Sequence, residues 1–324
     1  MAHGSGGRMM DRLIEEVFLP EFGGVAAHER HDGARLDGSL AFTTDSYVVR
    51  PLFFPGGSIG DLAVNGTVND LAMCGARPRW LSAGFILEEG LPLETLRRVV
   101  GDMARAARAA RVEIVTGDTK VVERGAADGM FITTAGVGMI EYGARVGPAL
   151  IGPGDAVLLS GELGAHGVAV MSVREGLAFE TEIVSDTAPL WAPVEAMLRA
   201  GVEIHCLRDL TRGGLASALN EIARTRGVEI EIEETQVRVP AAVRGACEFL
   251  GLDPMYVANE GRFCALVAAA DAERALGILR QFDGQATLAG VVGAEGRGEV
   301  VVRGALGGRR VLDQLSGELL PRIC

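Results

Sequence analysis

The sequence predicts an α/β (α+β) protein of two domains of similar build, and three observations carry that expectation. Its 324 residues exceed one ordinary domain and suit two. Segments with strand and helix patterning follow one another in comparable order in both halves, as expected for two domains of similar build. The turn-rich break Ile151-Gly152-Pro153-Gly154-Asp155 separates the halves. The expected layout is therefore a first domain over 1–150, a second over 151–303, and a glycine-loosened tail over 304–324.

Each element has its own signal. Residues 39–49 (SLAFTTDSYVV) are β-branched and aromatic and read as a strand. Residues 57–75 read as a helix whose Ile59, Leu62, Ala63, Val68, Leu71 and Ala72 give a broad apolar face. A strand over 79–87 precedes a helix over 92–111, where Pro92 suits the first turn and Leu93, Leu96, Val99, Val100 and Met103 recur at helical spacing. Strands follow near 112–122 and 130–141. The second half opens with the strand AVLLSG, and helices are expected after His166 and over 188–200, with a strand at 202–206. The segment RDLTRGGLASALNEIARTRG reads as a loop and then a helix with Leu215, Leu219 and Ile222 on one face. Alternating elements continue with a strand (228–232), a helix (240–250), a strand (262–270), a helix (271–282) and two strands within 286–303. The tail has Gly304, Gly307 and Gly308, then VLDQLSGELL, then Pro321-Arg322-Ile323-Cys324. Fully extended, 21 residues reach at most about 70 Å, enough to visit a distant site.

Composition narrows the function. The net charge of −12 argues against a nucleic-acid partner, which selects for a basic face, yet leaves a nucleotide possible if a metal neutralises its phosphates. No apolar run is long enough to span a membrane, and the start, MAHGSGGRMMDRL, has no signal-peptide core. The five cysteines (74, 206, 247, 264 and 324) form no C-x-x-C pair, so the expected setting is a reducing cytoplasm. Among 31 basic residues, Lys120 is the only lysine. Arginine bias explains the other thirty. A site that needs a compact ammonium rather than a rigid fork would explain the one.

No Walker A motif, kinase signature or nucleophile elbow occurs, so a nucleotide would be bound by another scheme. The first candidate is His3-Gly4-Ser5-Gly6-Gly7-Arg8, whose consecutive glycines let backbone N–H groups converge on an anion; alone the signal is weak, and the stretch reads more readily as a loose leader. The second is a set of aspartates: Asp45 in TTDS, Asp70 in TVNDLAMCGA, Asp118 in VTGDTK and Asp209 in RDLTRGG. Such carboxylates suit Mg²⁺ and phosphates, and each also reads as a cap or turn residue. Asp70 resists the second reading, because a carboxylate in an apolar helix pattern needs a partner. Lys120 lies two residues after Asp118 and reads as a phosphate or carbonyl ligand or as half of a surface ion pair. Glu260, in Asn259-Glu260-Gly261-Arg262, reads as a general base or a solvated strand end. His166 sits between glycines and small residues, facing a ligand or packing inside. Cys324 is a thiol at the very end of the chain, a liability unless used. The other four cysteines sit in apolar surroundings and read as buried fillers.

Together, HGSGGR, TTDSYVVRPLFFPGG, GTVNDLAMCGARP, EIVTGDTKVVERG, GELGAHG, RDLTRGGLASALNEIA, NEGR and the terminal PRIC resemble the HypE family, the carbamoyl dehydratases of [NiFe]-hydrogenase maturation. The resemblance spans nearly the whole chain. It implies the fold shared with aminoimidazole ribonucleotide synthetase and selenophosphate synthetase, with N-terminal sheets pairing across a homodimer. It implies ATP and Mg²⁺ near that interface. By motif, Gly4, Ser5, Gly6, Gly7, Asn69, Asp45, Asp118 and Arg212 would serve the nucleotide, and Asp45, Asp70, Asp118 and Asp209 the metal. Lys120 and Glu260 would be the catalytic pair and Cys324 the carrier. The implied partners are the carbamoyltransferase HypF, which loads Cys324, and a HypC–HypD scaffold that receives the cyano group. Two alternatives stand beside this reading. Another ATP-dependent synthetase of the superfamily would not explain PRIC, and a selenophosphate synthetase would need a reactive cysteine near the N-terminal glycines, where none precedes Cys74. A non-catalytic scaffold would not need the aspartates and the lysine.

Overall fold

The computed structural model describes residues 7–22, 31–177, 181–315, 320 and 322–324. The chain opens with α1 (Arg8–Leu13) and α2 (Leu19–Phe22), joined by a π-helical turn over Ile14–Phe18. The first half continues through β1 (Ala34–Leu36), β2 (Leu40–Tyr47), β3 (Phe53–Phe54), β4 (Gly57–Ser58), α3 (Ile59–Met73), β5 (Ala76–Glu88), α4 (Leu93–Ala110), β6 (Glu113–Val122) and β7 (Met130–Ile140). The second half runs through β8 (Ala156–Leu159), α5 (Ala165–Arg174), α6 (Trp191–Arg199), β9 (Ile204–Asp209), α7 (Gly214–Arg226), β10 (Val228–Glu233) and α8 (Ala241–Leu250). It ends with β11 (Phe263–Val267), α9 (Ala272–Phe282), β12 (Thr287–Glu295), β13 (Val300–Arg303) and β14 (Arg309–Val311).

The first five-stranded sheet has the order β1-β2-β7-β5-β6, antiparallel except for the β5–β6 pair. One face is covered by α3, with α4 packed behind it. Helix α3 starts on a capping box: the Ser58 hydroxyl accepts from Gly60 N–H, and Asp61 accepts from Ser58 N–H. Thirteen of its 15 residues are buried, so it is a central helix rather than an amphipathic surface one. Its C-terminal Ala72 and Met73 join the core beneath Trp191, Val194 and Phe263 of the second half.

The other face of this sheet has no covering element among the described residues. Register places Phe42, Trp80 and Ile86 there, each about 40% exposed. Asp118 pairs with Gly84 and Lys120 with Ile86, so both acidic and basic side chains belong to this uncovered face.

The second, seven-stranded sheet has the order β14-β13-β10-β12-β8-β11-β9. Helices α6 and α9 pack on one face and α7 on the other. Edge strand β9 lies against α3, which brings Asp209, at the end of β9, beside the first sheet.

One expectation is corrected. The stretch after Gly304 is not loose throughout: β14 pairs antiparallel with β13, and Leu312 and Gln314 are buried beyond it. Most of the glycine-rich leader lies outside the described residues; from Arg8 the chain is helical, although none of α1, the π turn or α2 buries a residue.

Candidate active site

The site forms where the end of β2, the polar stripe of α3, the loop after β9 and the loop before β11 meet. Alternation along β2 turns Thr43, Asp45 and Tyr47 toward α3. Gly66 lets Tyr47 lie flat on α3, since a Cβ there would collide with its hydroxyl. The sharp loop from Asp209 to α7 needs Gly214, whose φ is +58° and whose Cβ would stand 2.6 Å from the Val257 carbonyl oxygen.

At the floor, one carboxylate oxygen each from Asp32, Asp70 and Asp209 lies within 4.8 Å of the other two. The Thr43 hydroxyl donates to Asp70 at 2.7 Å, and Arg208 Nε reaches Asp32 at 2.9 Å while the same guanidinium pairs with Glu221. Asp32 Oδ2 and Asp209 Oδ2 have no hydrogen-bond partner among the described residues. Burial first, then mutual repulsion, holds the Asp70 and Asp209 carboxyls well above the usual carboxylate range. Three convergent carboxylates, one buried and two partly buried, with orphaned oxygens on Asp32 and Asp209, fit a hard divalent cation, which would supply the missing positive charge. These aspartates line a cleft of about 250 Å³ together with Asp45, Thr211, Arg212 and Ser217. It adjoins a cavity of about 840 Å³ that shares Asp32 and Thr44 and is lined by His31, Arg35, Phe42 and Arg145.

Glu260 is buried, and its Oε1 has no hydrogen-bond partner among the described residues. Its backbone is fixed instead: its N–H donates to Asp186 at 3.2 Å, and its carbonyl accepts from Asn69 at 3.3 Å. Burial, then the charges of Asp209, Asp186 and Asp45, push its carboxyl well up, with Arg212 opposing. Cys324 arrives at the same place. Burial pushes its thiol up; Arg212 opposes this, and Glu260, Asp45 and Asp209 add to it. Arg212 is held charged, with the Asp45 and Glu260 carboxylates among the charges facing it.

The structure thus gathers Asp45, Asp70, Asp209, Arg212, Glu260 and Cys324. Asn69 lies just beneath, its amide consumed by Ala188 O, Glu260 O and Leu190 N–H, so it positions Glu260 rather than facing the cleft. Gly7 packs on Leu315, where a Cβ would stand 2.5 Å from the carbonyl oxygen; Gly4, Ser5 and Gly6 lie outside the described residues. Within one chain Asp118 and Lys120 do not join the cluster. They form an exposed ion pair on the edge strand, three strand spacings from β2 (about 14 Å) and on the opposite face.

Comparison with known proteins decides the family. Residues 30–140 match the AIR synthase related protein N-terminal domain, and residues 152–303 its C-terminal domain. The carbamoyl dehydratase HypE of Azotobacter vinelandii is 53% identical over 100% of this chain and 96% of its own length. The chain belongs to the HypE family. A HypE structure in complex with ATP superposes with a TM-score of 0.86 at 50% identity, over 99% of this chain and 98% of that one. A HypE chain from a HypE–HypF complex gives 0.90 at 46% identity, over 94% and 99%.

Against that HypE background, the sequence reading passed over Asp32, Arg208 and Asp186. His31-Asp32-Gly33 looks like any turn, and Arg208 is one arginine among thirty. The usable signal was the charged pair Arg208-Asp209 inside an apolar strand, which needs a buried counter-charge.

Proposed function

We propose that this chain converts a carbamoyl group on Cys324 into a cyano group at the expense of ATP. The observation that supports it best is the meeting of the terminal thiol with Glu260, Arg212 and the aspartate cluster. Overall, the S-carboxamide and ATP become the S-cyanate, ADP, phosphate and a proton. The carbamoyl oxygen leaves on phosphate, and both N–H bonds break. An amide oxygen is a poor leaving group, and phosphorylation makes it a good one.

The chain's own residues would divide the work as follows. Asp32, Asp70 and Asp209, with Asp45, would hold Mg²⁺, which screens the phosphates. The adjoining cavity would take the rest of the nucleotide. Arg212 would face the charge that develops on the carbamoyl oxygen. Glu260 would accept protons from the carbamoyl nitrogen; the surroundings that raise its carboxyl make it a stronger base once ionised. A thiol held protonated in the cleft is a weak nucleophile, so loading by HypF belongs to a tail swung outward. Lys120 and Asp118 would act on the cleft of a second copy, across a homodimer formed by the uncovered sheet faces. The cyano group would then pass to a HypC–HypD scaffold.

The test is phosphate release from ATP. Carbamoyl-loaded protein should release it in proportion to the loaded thiol. The Cys324→Ala chain should bind ATP and release none, and release undiminished by that change would refute the reading.

A further inference from the structure

The last three residues sit in a cradle that the rest of the molecule builds. Val48 N–H donates to Cys324 O at 3.1 Å and Arg50 N–H to Arg322 O at 3.3 Å, so the chain end lies along the segment after β2 like an added strand. Arg322 Nε returns a hydrogen bond to Val48 O at 3.0 Å. Its guanidinium pairs with Asp128 and lies 5.8 Å from the centre of the Phe131 ring. Arg174 donates to Arg322 O at 2.6 Å and to Arg50 O at 2.8 Å, clamping both strands. His166 Nε2 lies 2.9 Å from Ile323 O. A carbonyl only accepts, so Nε2 carries the proton and Nδ1 accepts from the Ser185 hydroxyl at 2.8 Å. The Ile323 side chain is 2% exposed and joins the core cluster that contains Tyr47, Val49, Phe54, Val170 and Ala258.

These contacts do more than park a thiol. A counter-charge reads the side chain two residues from the end, the core takes up the next one, and four hydrogen bonds to carbonyl oxygens of these residues, two of them from backbone N–H groups, fix the register. Every one is satisfied by residues 322–324 themselves. None needs the covalent link to residue 315 and before. We propose that the cradle is a peptide-binding site for a chain end of the form Arg-Ile-Cys, including one supplied in trans, with Asp128 selecting the basic residue. The claim concerns binding, so it stands or falls apart from the dehydration chemistry.

Reciprocal charge swaps in the full-length protein test it. In the Arg322→Glu chain a carboxylate faces Asp128, and the chain's own end should leave the cradle. Cys324 should then be alkylated by a maleimide about tenfold faster than in the parent, as expected for loss of a charge-assisted anchor. The other four cysteines are buried and report little. A fluorescein-labelled peptide ending Arg-Ile-Ser should bind the emptied cradle saturably, and one ending Glu-Ile-Ser should not. The Asp128→Arg chain, whose own Arg322 is repelled, should show the opposite preference. Combining both substitutions should restore slow alkylation. Unchanged alkylation in the Arg322→Glu chain, no saturable binding, or equal binding of both peptides in either variant would overturn the proposal.

Discussion

Asp32, Asp70 and Asp209 share a buried space that lacks the positive charge to let all of them ionise, since Arg208 is divided between Asp32 and Glu221. On the proposed reading the cluster holds a cation, and its repulsion costs stability when none is bound. Asp209→Asn should therefore raise the melting temperature of the metal-free protein, by about 2 °C for each kcal/mol of relieved repulsion. It should also remove most of the Mg²⁺-dependent part of ATP affinity in a calorimetric titration. A variant that binds MgATP like the parent would move the metal elsewhere. His166 gives a pH signature. Burial depresses its pKa below 6.5, with the Asp186 carboxylate facing it as the opposing charge. Below 6.5 the unfolded chain takes up a proton that the native imidazole refuses, so this histidine's contribution is full above 6.5 and lost as pH falls from there. Urea unfolding followed between neutral and acid pH should show a steeper loss of stability in the parent than in His166→Gln. At this scale the sequence disclosed the residues with odd identity or place: Asp70 in an apolar helix, the terminal Cys324, and Glu260 beside Asn259 and Gly261. It concealed Asp32, Asp128 and Asp186, whose neighbours in sequence are ordinary turn residues and whose partners come from distant segments.

The elements were legible where burial imposed a period. Helix α4 and strand β2 carry apolar residues at helical and alternating spacing because each turns one face inward. Helices α1 and α2 bury nothing and so leave no periodic trace, and β14 is Arg309-Arg310-Val311, an edge strand identified only by its partner. Strand β6 is nearly all exposed, yet it carries Ile114, Val115 and Val121. An uncovered sheet face with Phe42, Trp80 and Ile86 is the surface expected to pair with a second copy. Ile86→Asp should shift the protein toward monomer in sedimentation velocity at micromolar concentration. Because Lys120 lies beside Ile86 in register, turnover should fall together with dimer content. A monomeric variant with full turnover would separate Lys120 from the chemistry.

Across the whole molecule, the arrangement joins the cleft proposed for the nucleotide, between two sheets, to a chain end that arrives from the far side of the second one. The thiol reaches Glu260 only because Arg322 and Ile323 are held by β2's extension, α5 and the loop at Asp128. That contact spans the full sequence, which is why Cys324 could be singled out by position while its surroundings could not. The most direct test is the intact mass of carbamoyl-loaded protein before and after MgATP. The mass should fall by one water, with the change confined to the peptide ending in Cys324, and the Cys324→Ala chain should show neither loading nor loss. An unchanged mass in loaded protein that hydrolyses ATP, or loss of water in the Cys324→Ala chain, would contradict a carrier cysteine dehydrated in this cleft.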